Sequence, residues 1–371
     1  MTSEARLKAV SDLGFTERQA HFLVTVMLHG GVCVPRQYAR FVGTAYGQNV
    51  NAFFDKLVGA GMAVRCGCVH NRARVYHVRH ASLYRAIGEP NSRNRKPVPA
   101  AGVTQRLMVL DTVIAHPQLA WLATVADKVA YFTVASSCPT DAFPHSNFGV
   151  GATGRVGLFP DALPIGVDAA GHVAFVFVVT SPDTDDLRGF LQRHADLVRR
   201  LRGWTIRLVL PPHLSTIKSS LETLVRGELA TPLSPMTLAE LRWYFDQRRL
   251  ATAARTKPSD LRFRRAERAF ASTRFRLLYR RWLSDGDAVH DVAISQAIRE
   301  ALVTGAGRIE CEALPLSYRH LSPLGSLVRS RIQGVEEGER VPARSQPPQV
   351  ERDDDDPAGC ARDWRRLMDA R

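Results

Sequence analysis

The sequence predicts a mixed α/β fold (α+β) in three parts, and three observations indicate it. Residues 1–88 carry apolar side chains at helical spacing and end in two short β-prone runs. Residues 102–230 alternate predicted helices with apolar strands, which is typical of an α/β core. Residues 231–334 are predicted to be helical and basic. We also predict a Pro-rich linker at 89–101 and an acidic, disordered tail at 335–371.

The composition excludes several classes of protein. The chain has 371 residues, of which 45% are hydrophobic and 23% charged, as in globular proteins. Its longest apolar run, Val173–Val179, is too short to cross a bilayer, and the first residues lack the apolar segment of a signal peptide. The six cysteines are too sparse for a disulfide framework. We therefore expect a cytoplasmic protein with reduced thiols and no membrane partner.

Basic charge is concentrated in two segments of the chain. Fifty Lys and Arg residues against 36 Asp and Glu residues give a net charge of +14. Residues 1–100 hold 14 basic and 5 acidic residues, a net charge of +9, and residues 242–281 hold 13 and 3, a net charge of +10. Concentrated positive charge favours a polyanionic partner, most often nucleic acid. The alternative is a general arginine bias.

The first 88 residues predict helices followed by a hairpin. Thr16–Gln19 has the form of a capping box, and Pro35 suits the first turn of a second helix. In a third helix, Thr44–Val58, apolar residues recur at i, i+3, i+4, i+7 and i+8 and form one buried face. The runs 62–68 and 73–78 predict paired strands. This order is that of a winged helix-turn-helix, which binds DNA; a helical bundle that binds protein is the alternative.

Polar side chains on the outer side of this third helix and on its flanks are the candidate DNA-binding residues. Amide side chains can pair with base edges in the major groove, so Gln48, Asn49 and Asn51 are predicted to read bases. Thr44 and Tyr46 precede them and are placed for phosphate contacts. A flanking lysine and the hairpin are predicted to add polar and positive groups at the DNA backbone or minor groove. These residues are Lys56, His70, Asn71, Arg72 and Arg74.

Arginine and aromatic residues alternate in the predicted C-terminal helices. The predicted DNA-binding residues there are Arg262, Arg264, Arg265 and Arg268. We expect buried aromatic residues and an arginine face on backbone phosphates. Two alternatives stay open: aromatic residues that stack on single-stranded bases, and a purely structural helix.

The central segment contains the dipeptide Pro160-Asp161, then a glycine turn, the apolar run Val173–Val179, a helix and a further strand. Over residues 10–225 this order resembles the replication-relaxation proteins of bacterial plasmids and integrative elements. The resemblance implies a winged helix joined to a restriction-endonuclease-like core in the bacterial cytoplasm, on the nucleoid. It implies a transcriptional regulator or an accessory factor for replication or transfer of a mobile genetic element.

The apolar strand of the central segment lacks the acidic residue that the family pattern has there. Hydrolysis of a phosphodiester with Mg²⁺ needs at least two fixed oxygen ligands. We therefore predict a nuclease-like scaffold that is not an enzyme, with neither a cofactor nor a bound metal. The alternative is a metal-dependent endonuclease or nickase that uses Asp161, Asp168 and Asp183.

The predicted partner is double-stranded DNA. A homodimer and the replication or transfer proteins of the mobile element are further partners that the sequence leaves open. A zinc site at Cys66 and Cys68 is not predicted, because no second pair of ligands follows at a suitable spacing.

Overall fold

Short helices and a small antiparallel sheet form the N-terminal part of the chain. The structure, a computed structural model, describes residues 1–68, 73–148, 155–256, 258 and 260–321. The N-terminal helices are α1 (Ser3–Ser11), α2 (Glu17–His29), α3 (Pro35–Val42), α4 (Gln48–Gly59) and α5 (Ala81–Ala86). Among the described residues, the N-terminal strands β1 (Val32–Cys33), β2 (Ala63–Gly67) and β3 (Arg74–Val78) form a sheet in the order β1-β3-β2.

Local sequence signals set the bounds of the N-terminal helices. Thr16 and Gln19 form the predicted capping box at the start of α2, and Pro35 occupies the first turn of α3. Gly43 ends α3 with a backbone φ of 69°, a left-handed conformation that favours glycine. The predicted third helix is α4, but it begins at Gln48 rather than Thr44, because Gly47 is its N-cap. The predicted apolar face of α4 is confirmed as buried at Val50, Phe53, Phe54 and Leu57.

A mixed sheet forms the centre of the molecule. Its strands are β4 (Ala120–Leu122), β7 (Ile165–Val167), β8 (Val173–Val178), β9 (Trp204–Leu210) and β10 (Gly307–Ala313). Within the described residues the order is β10-β9-β8-β7-β4, with β8, β9 and β10 parallel and β7 antiparallel to both of its neighbours. Strands β5 (His145–Phe148) and β6 (Arg155–Leu158) form a separate hairpin.

Helices cover the central sheet and continue into a C-terminal helical cluster. They are α6 (Ala100–Ala115), α7 (Val125–Ala130), α8 (Asp185–Val198), α9 (Lys218–Leu229), α10 (Pro235–Ala254), α11 (Leu261–Ala269), α12 (Thr273–Asp285), α13 (Ala288–Ile294) and α14 (Ala297–Thr304). The cluster from α10 to α13 has its own core, rich in aromatic side chains. None of the helices that the structure describes is both long enough and apolar enough to cross a membrane.

One predicted helix of the central segment is wrong, and a strand of the central sheet was missed. Residues 119–132 do not form one helix: Ala120–Leu122 pairs with β7, and α7 starts only at Val125, where Thr124 and Asp127 form a capping box. Strand β10 was not predicted, because it lies at the sheet edge and alternates charged with apolar residues.

The segment 89–101, predicted as a linker, is packed against the N-terminal helices. The amide of Asn94 is buried and donates to the carbonyl oxygens of Met27 and Leu28 near the end of α2, at 3.0 and 3.1 Å. These carbonyls have no partner within their own helix, so Asn94 caps them. The predicted tail, 335–371, lies outside the described residues.

A buried carboxylate joins the N-terminal helices to the rest of the chain. Asp111 on α6 has no exposed surface. Arg36 on α3 donates to both of its oxygens at 3.0 and 2.9 Å, and the Tyr318 hydroxyl donates to Oδ2 at 2.6 Å. Beside them, Gln37 Nε2 donates to the Leu107 carbonyl oxygen at 2.9 Å. Because a buried charge is costly unless it is paired, this network fixes α3 on α6.

A second ion pair connects the β5–β6 hairpin to the C-terminal cluster. His145 Nε2 lies 3.0 Å from Asp285 Oδ1, and Arg281 Nε lies 3.2 Å from Asp285 Oδ2. Hydrogen bonding to Asp285 raises the pKa of His145. Burial raises the pKa of Asp285, but hydrogen bonds from His145 and Ser284 and the charge of Arg281 outweigh burial and hold that pKa at about 2.

Replacing Arg36 tests the Asp111 network. Arg36→Ala removes two of its hydrogen bonds and leaves a buried carboxylate without its cation, so we expect the free energy of unfolding to fall by about 3 kcal/mol or more. Urea denaturation followed by circular dichroism measures the change. Arg85→Ala, at an exposed arginine on α5, is the matched control and should change stability by less than about 0.5 kcal/mol. Equal effects of the two substitutions would contradict this role of the network.

The His145–Asp285 pair predicts a pH dependence. Because the folded-state pKa of His145 is raised, the pair contributes its full stability below the ordinary histidine pKa of about 6.5 and loses it as the pH rises through the raised value. The difference in melting temperature between the wild type and His145→Gln should therefore be larger at pH 5.5 than at pH 8.5. Because both proteins contain the other histidines, their contribution to the pH dependence cancels in this difference. A difference that does not vary with pH would contradict the ion pair.

Candidate nucleic-acid interface

The outer face of α4 brings the predicted base readers together. Gln48, Asn49 and Asn51 are all exposed in the first turns of the helix. The opposite face packs into the N-terminal core, where the Phe54 ring lies 4.3 Å from the Tyr76 ring of β3. Burial of one face therefore determines which polar residues of α4 remain accessible.

The turn before α4 carries the predicted phosphate contacts. Thr44 is exposed, and Tyr46 exposes 61% of its surface although it is a large aromatic residue. The Tyr46 hydroxyl donates to Asn51 Oδ1 at 3.0 Å. Gly47, the N-cap, provides no side-chain hydrogen bond to the first backbone N–H groups of α4. Such N–H groups can bind a phosphate.

Lys56 makes contacts within the protein. Its Nζ donates to the Gly14 carbonyl oxygen at 2.6 Å and lies 4.9 Å from the centre of the Phe15 ring. Lys56 was predicted to contact DNA, and the structure shows that it holds the loop between α1 and α2 on α4. Asp55 beside it is exposed.

The hairpin presents one arginine that the sequence analysis missed. Arg65 on β2 is exposed and lies opposite Tyr76 in the strand register. Directly opposed residues share a face of the sheet, and Tyr76 packs against α4, so Arg65 lies on the α4 side of the hairpin. In the sequence, only the position of Arg65 within a predicted strand could have indicated it. Arg74, on β3, is half-buried and donates to the Ala73 carbonyl oxygen at 3.0 Å.

The three remaining hairpin candidates lie outside the described residues. They are His70, Asn71 and Arg72.

The arginines of α11 differ in their surroundings. Arg262 pairs with Glu240 at 2.8 Å and stacks 3.8 Å above the Trp243 ring, so it is engaged within the protein. Arg264, Arg265 and Arg268 are exposed, and no acidic side chain pairs with them in the described part of the chain.

The aromatic residues of this region are buried in the core of the cluster, as expected, with Phe275 half-buried. The buried ones are Phe263, Phe270, Tyr279 and Trp282. Buried rings cannot stack on bases.

Asp161 is held by an ion pair. Arg193 on α8 donates through Nε to Asp161 Oδ2 at 3.0 Å and through Nη2 to Oδ1. Two further cations are close: Arg93 donates to the Ala162 carbonyl oxygen at 3.1 Å, and the buried Lys128 donates to that of Leu163 at 2.7 Å. Burial lowers the pKa of Lys128 to about 8.

The other two carboxylates of the nuclease hypothesis serve local structure. Asp168 Oδ1 accepts from the backbone N–H groups of Ala170 and His172, both at 2.9 Å. Asp183 Oδ1 accepts from the N–H of Asp185 at the start of α8, at 3.0 Å. No group of three or more metal-ligating side chains occurs within the described residues.

Asp161→Ala tests the role of the Arg193 pair. The substitution leaves a half-buried guanidinium without its carboxylate, so we expect the free energy of unfolding to fall by about 2 kcal/mol. Adding Arg193→Ala should cost less than the sum of the single changes, which denaturation of all four proteins measures. Asp12→Ala, in the exposed Lys8–Asp12 pair, is the control and should have little effect. Additive effects of the two substitutions would contradict the pairing.

The candidate functional residues thus divide between two exposed surfaces and one charged cluster. The α4 surface comprises the amides of α4, Tyr46 and Arg65, the α11 surface comprises Arg264, Arg265 and Arg268, and the charged cluster surrounds Asp161. No family model, curated protein or solved structure matches the chain. The resemblance to replication-relaxation proteins therefore stays a prediction.

Proposed function

We propose that this protein binds double-stranded DNA in a sequence-specific way through the α4 surface. One observation carries the proposal: an amphipathic helix buries four apolar residues and leaves three amides exposed in its first turns. The order α2-β1-α3-α4-β2-β3 supports a winged helix-turn-helix, whose corresponding helix enters the major groove. Amide side chains there can distinguish bases by their hydrogen-bonding edges.

The charges around α4 suit a DNA backbone. Arg65 lies on the α4 side of the hairpin, and Thr44 and the backbone N–H groups at the start of α4 lie beside the base readers. Residues 1–100 carry a net charge of +9. Phosphate contacts of this kind set affinity and position, and the amides supply specificity.

The α11 surface adds affinity that depends on salt. Its three arginines are exposed, and in the described part of the chain no carboxylate neutralises them. Each phosphate that an arginine neutralises releases condensed counterions, which makes binding weaker as salt rises. We expect this contribution to be independent of DNA sequence.

The central part supports a scaffold role and not a catalytic one. Helix α6 is followed by β4, α7 and the β5–β6 hairpin, and then by strands β7 and β8, helix α8 and the parallel strand β9. The sequence of β8, α8 and β9 supports a nuclease-like core. In the position of the Pro-Asp motif, however, Asp161 accepts hydrogen bonds from Arg193 on both oxygens. The biological output we infer is transcriptional regulation, or assistance in replication or transfer of a mobile element, and this rests on the resemblance.

Sequencing of bound DNA tests the proposed function. The full chain is incubated with sheared genomic and plasmid DNA over a series of salt concentrations, and the retained fragments are sequenced. We expect discrete sites to be enriched and to lose their enrichment in Gln48→Ala, because the amide that distinguishes bases is gone. Arg85→Ala is the control with unchanged enrichment. Uniform retention of all fragments, or none, would contradict sequence-specific binding.

A DNA site enriched in that experiment can distinguish an arginine that contacts phosphate, Arg65, from one that is paired within the protein, Arg262. Arg65→Ala should weaken binding to enriched and random DNA by the same factor. It should also reduce the steepness of the plot of log binding constant against log salt concentration by about 1, since one phosphate contact is lost. Fluorescence anisotropy measures both quantities. Arg262→Ala is the matched control, because this arginine is already paired with Glu240. Loss of discrimination in Arg65→Ala, or an unchanged salt slope, would show that Arg65 does not contact phosphate.

A further inference from the structure

Tyr46 engages one of the three amides on the α4 surface and leaves the other two without partners. Its hydroxyl donates to Asn51 Oδ1 at 3.0 Å, with a sequence separation of five residues. Neither Gln48 nor Asn49 makes a side-chain hydrogen bond within the described residues. The Tyr46 residue is 61% exposed, so packing in the core does not explain its position.

The hydrogen bond from Tyr46 engages the oxygen end of the Asn51 amide and not the NH2 end. A free amide offers one acceptor and one donor group, and it can pair with adenine, which presents the N6 donor and the N7 acceptor in the major groove. In Asn51 the oxygen faces the Tyr46 hydroxyl, and the Nδ2 group keeps both of its hydrogens for an external acceptor. The oxygen keeps one further lone pair, but its orientation is set by the Tyr46 hydroxyl, and Nδ2 is the end of the amide without a partner among the described residues.

We propose that Tyr46 orients Asn51 to act mainly as a hydrogen-bond donor and thereby favours guanine over adenine at one position of the DNA site. Guanine presents only acceptors at the corresponding places, O6 and N7. The inference rests on the proposed function and assigns Tyr46 a role as a positioning residue for specificity. Gln48 and Asn49, with both amide ends available, provide the internal comparison because they can pair with adenine.

The backbone supports this arrangement. Asn51 lies in the first turns of α4, and its N–H donates to the Gly47 carbonyl oxygen at 3.2 Å. The next residue but one, Phe53, is buried in the N-terminal core and stacks 4.2 Å from Tyr38. The buried face thus fixes the rotation of α4 about its axis, and the Tyr46 hydroxyl orients the amide of Asn51.

Selection from a random DNA library tests the proposal. The full-length wild type, Tyr46→Phe, Asn51→Ala and Asn49→Ala are each taken through the same selection, and the bound sequences give base preferences at every position. Tyr46→Phe keeps the ring and removes only the donor. We expect the wild type to prefer guanine at one position and Tyr46→Phe to lose that preference over adenine, by about tenfold, at that position alone. Asn51→Ala should abolish the preference there, and Asn49→Ala should alter a different position.

The outcomes separate this inference from the proposed function. Wild-type selection without any enriched motif would overturn both. An enriched motif that is identical in the wild type and Tyr46→Phe would overturn the role of Tyr46 and leave sequence-specific binding intact. Melting temperatures of all variants, measured first, establish that each protein is folded, since only exposed side chains are changed. A change in Tyr46→Phe spread over all positions would also overturn the inference.

Discussion

The buried carboxylate of Asp111 is the constraint on which the placement of the N-terminal helices depends. A charged group with no exposed surface is stable only if its partners stay in place, and its partners come from α3 and from Tyr318, far apart in the chain. Helix α3 is thereby fixed on α6, and the glycine-ended turn after α3 leads directly to α4. The exposed face of α4 therefore has a set orientation relative to the central sheet.

Arginines in this protein serve two different purposes, and their surroundings distinguish them. Arg36 neutralises the buried carboxylate of Asp111, and Arg193 neutralises the partly buried carboxylate of Asp161. Arg65, Arg264 and Arg268 are exposed and have no acidic partner in the described part of the chain. Of these two groups only the second is available to a polyanion, so the net charge alone overstates the surface that the proposed function needs.

Local signals in the sequence were sufficient for α2, α3 and α4, whereas α1 and α5 were not predicted. The capping box at Thr16 and the apolar spacing of α4 depend on residues a few positions apart, so the sequence predicts both. Strand β4 exists because it pairs with β7 more than forty residues later, and no local pattern shows this. For the candidate site, the amides of α4 could be predicted. Arg65 and the internal role of Arg262 could not, because each depends on a neighbour distant in the chain.

Hydrogen–deuterium exchange of the full chain, with and without a DNA fragment that it retains, tests most directly whether the α4 surface is the binding site. The proposed function predicts slower exchange in residues 44–59 and in β2 and β3, with smaller changes near α11. Bound DNA that leaves these segments unchanged and protects others would contradict the central claim. The same measurement on the Arg36→Ala variant would show whether the fixed position of α3 is needed for that protection.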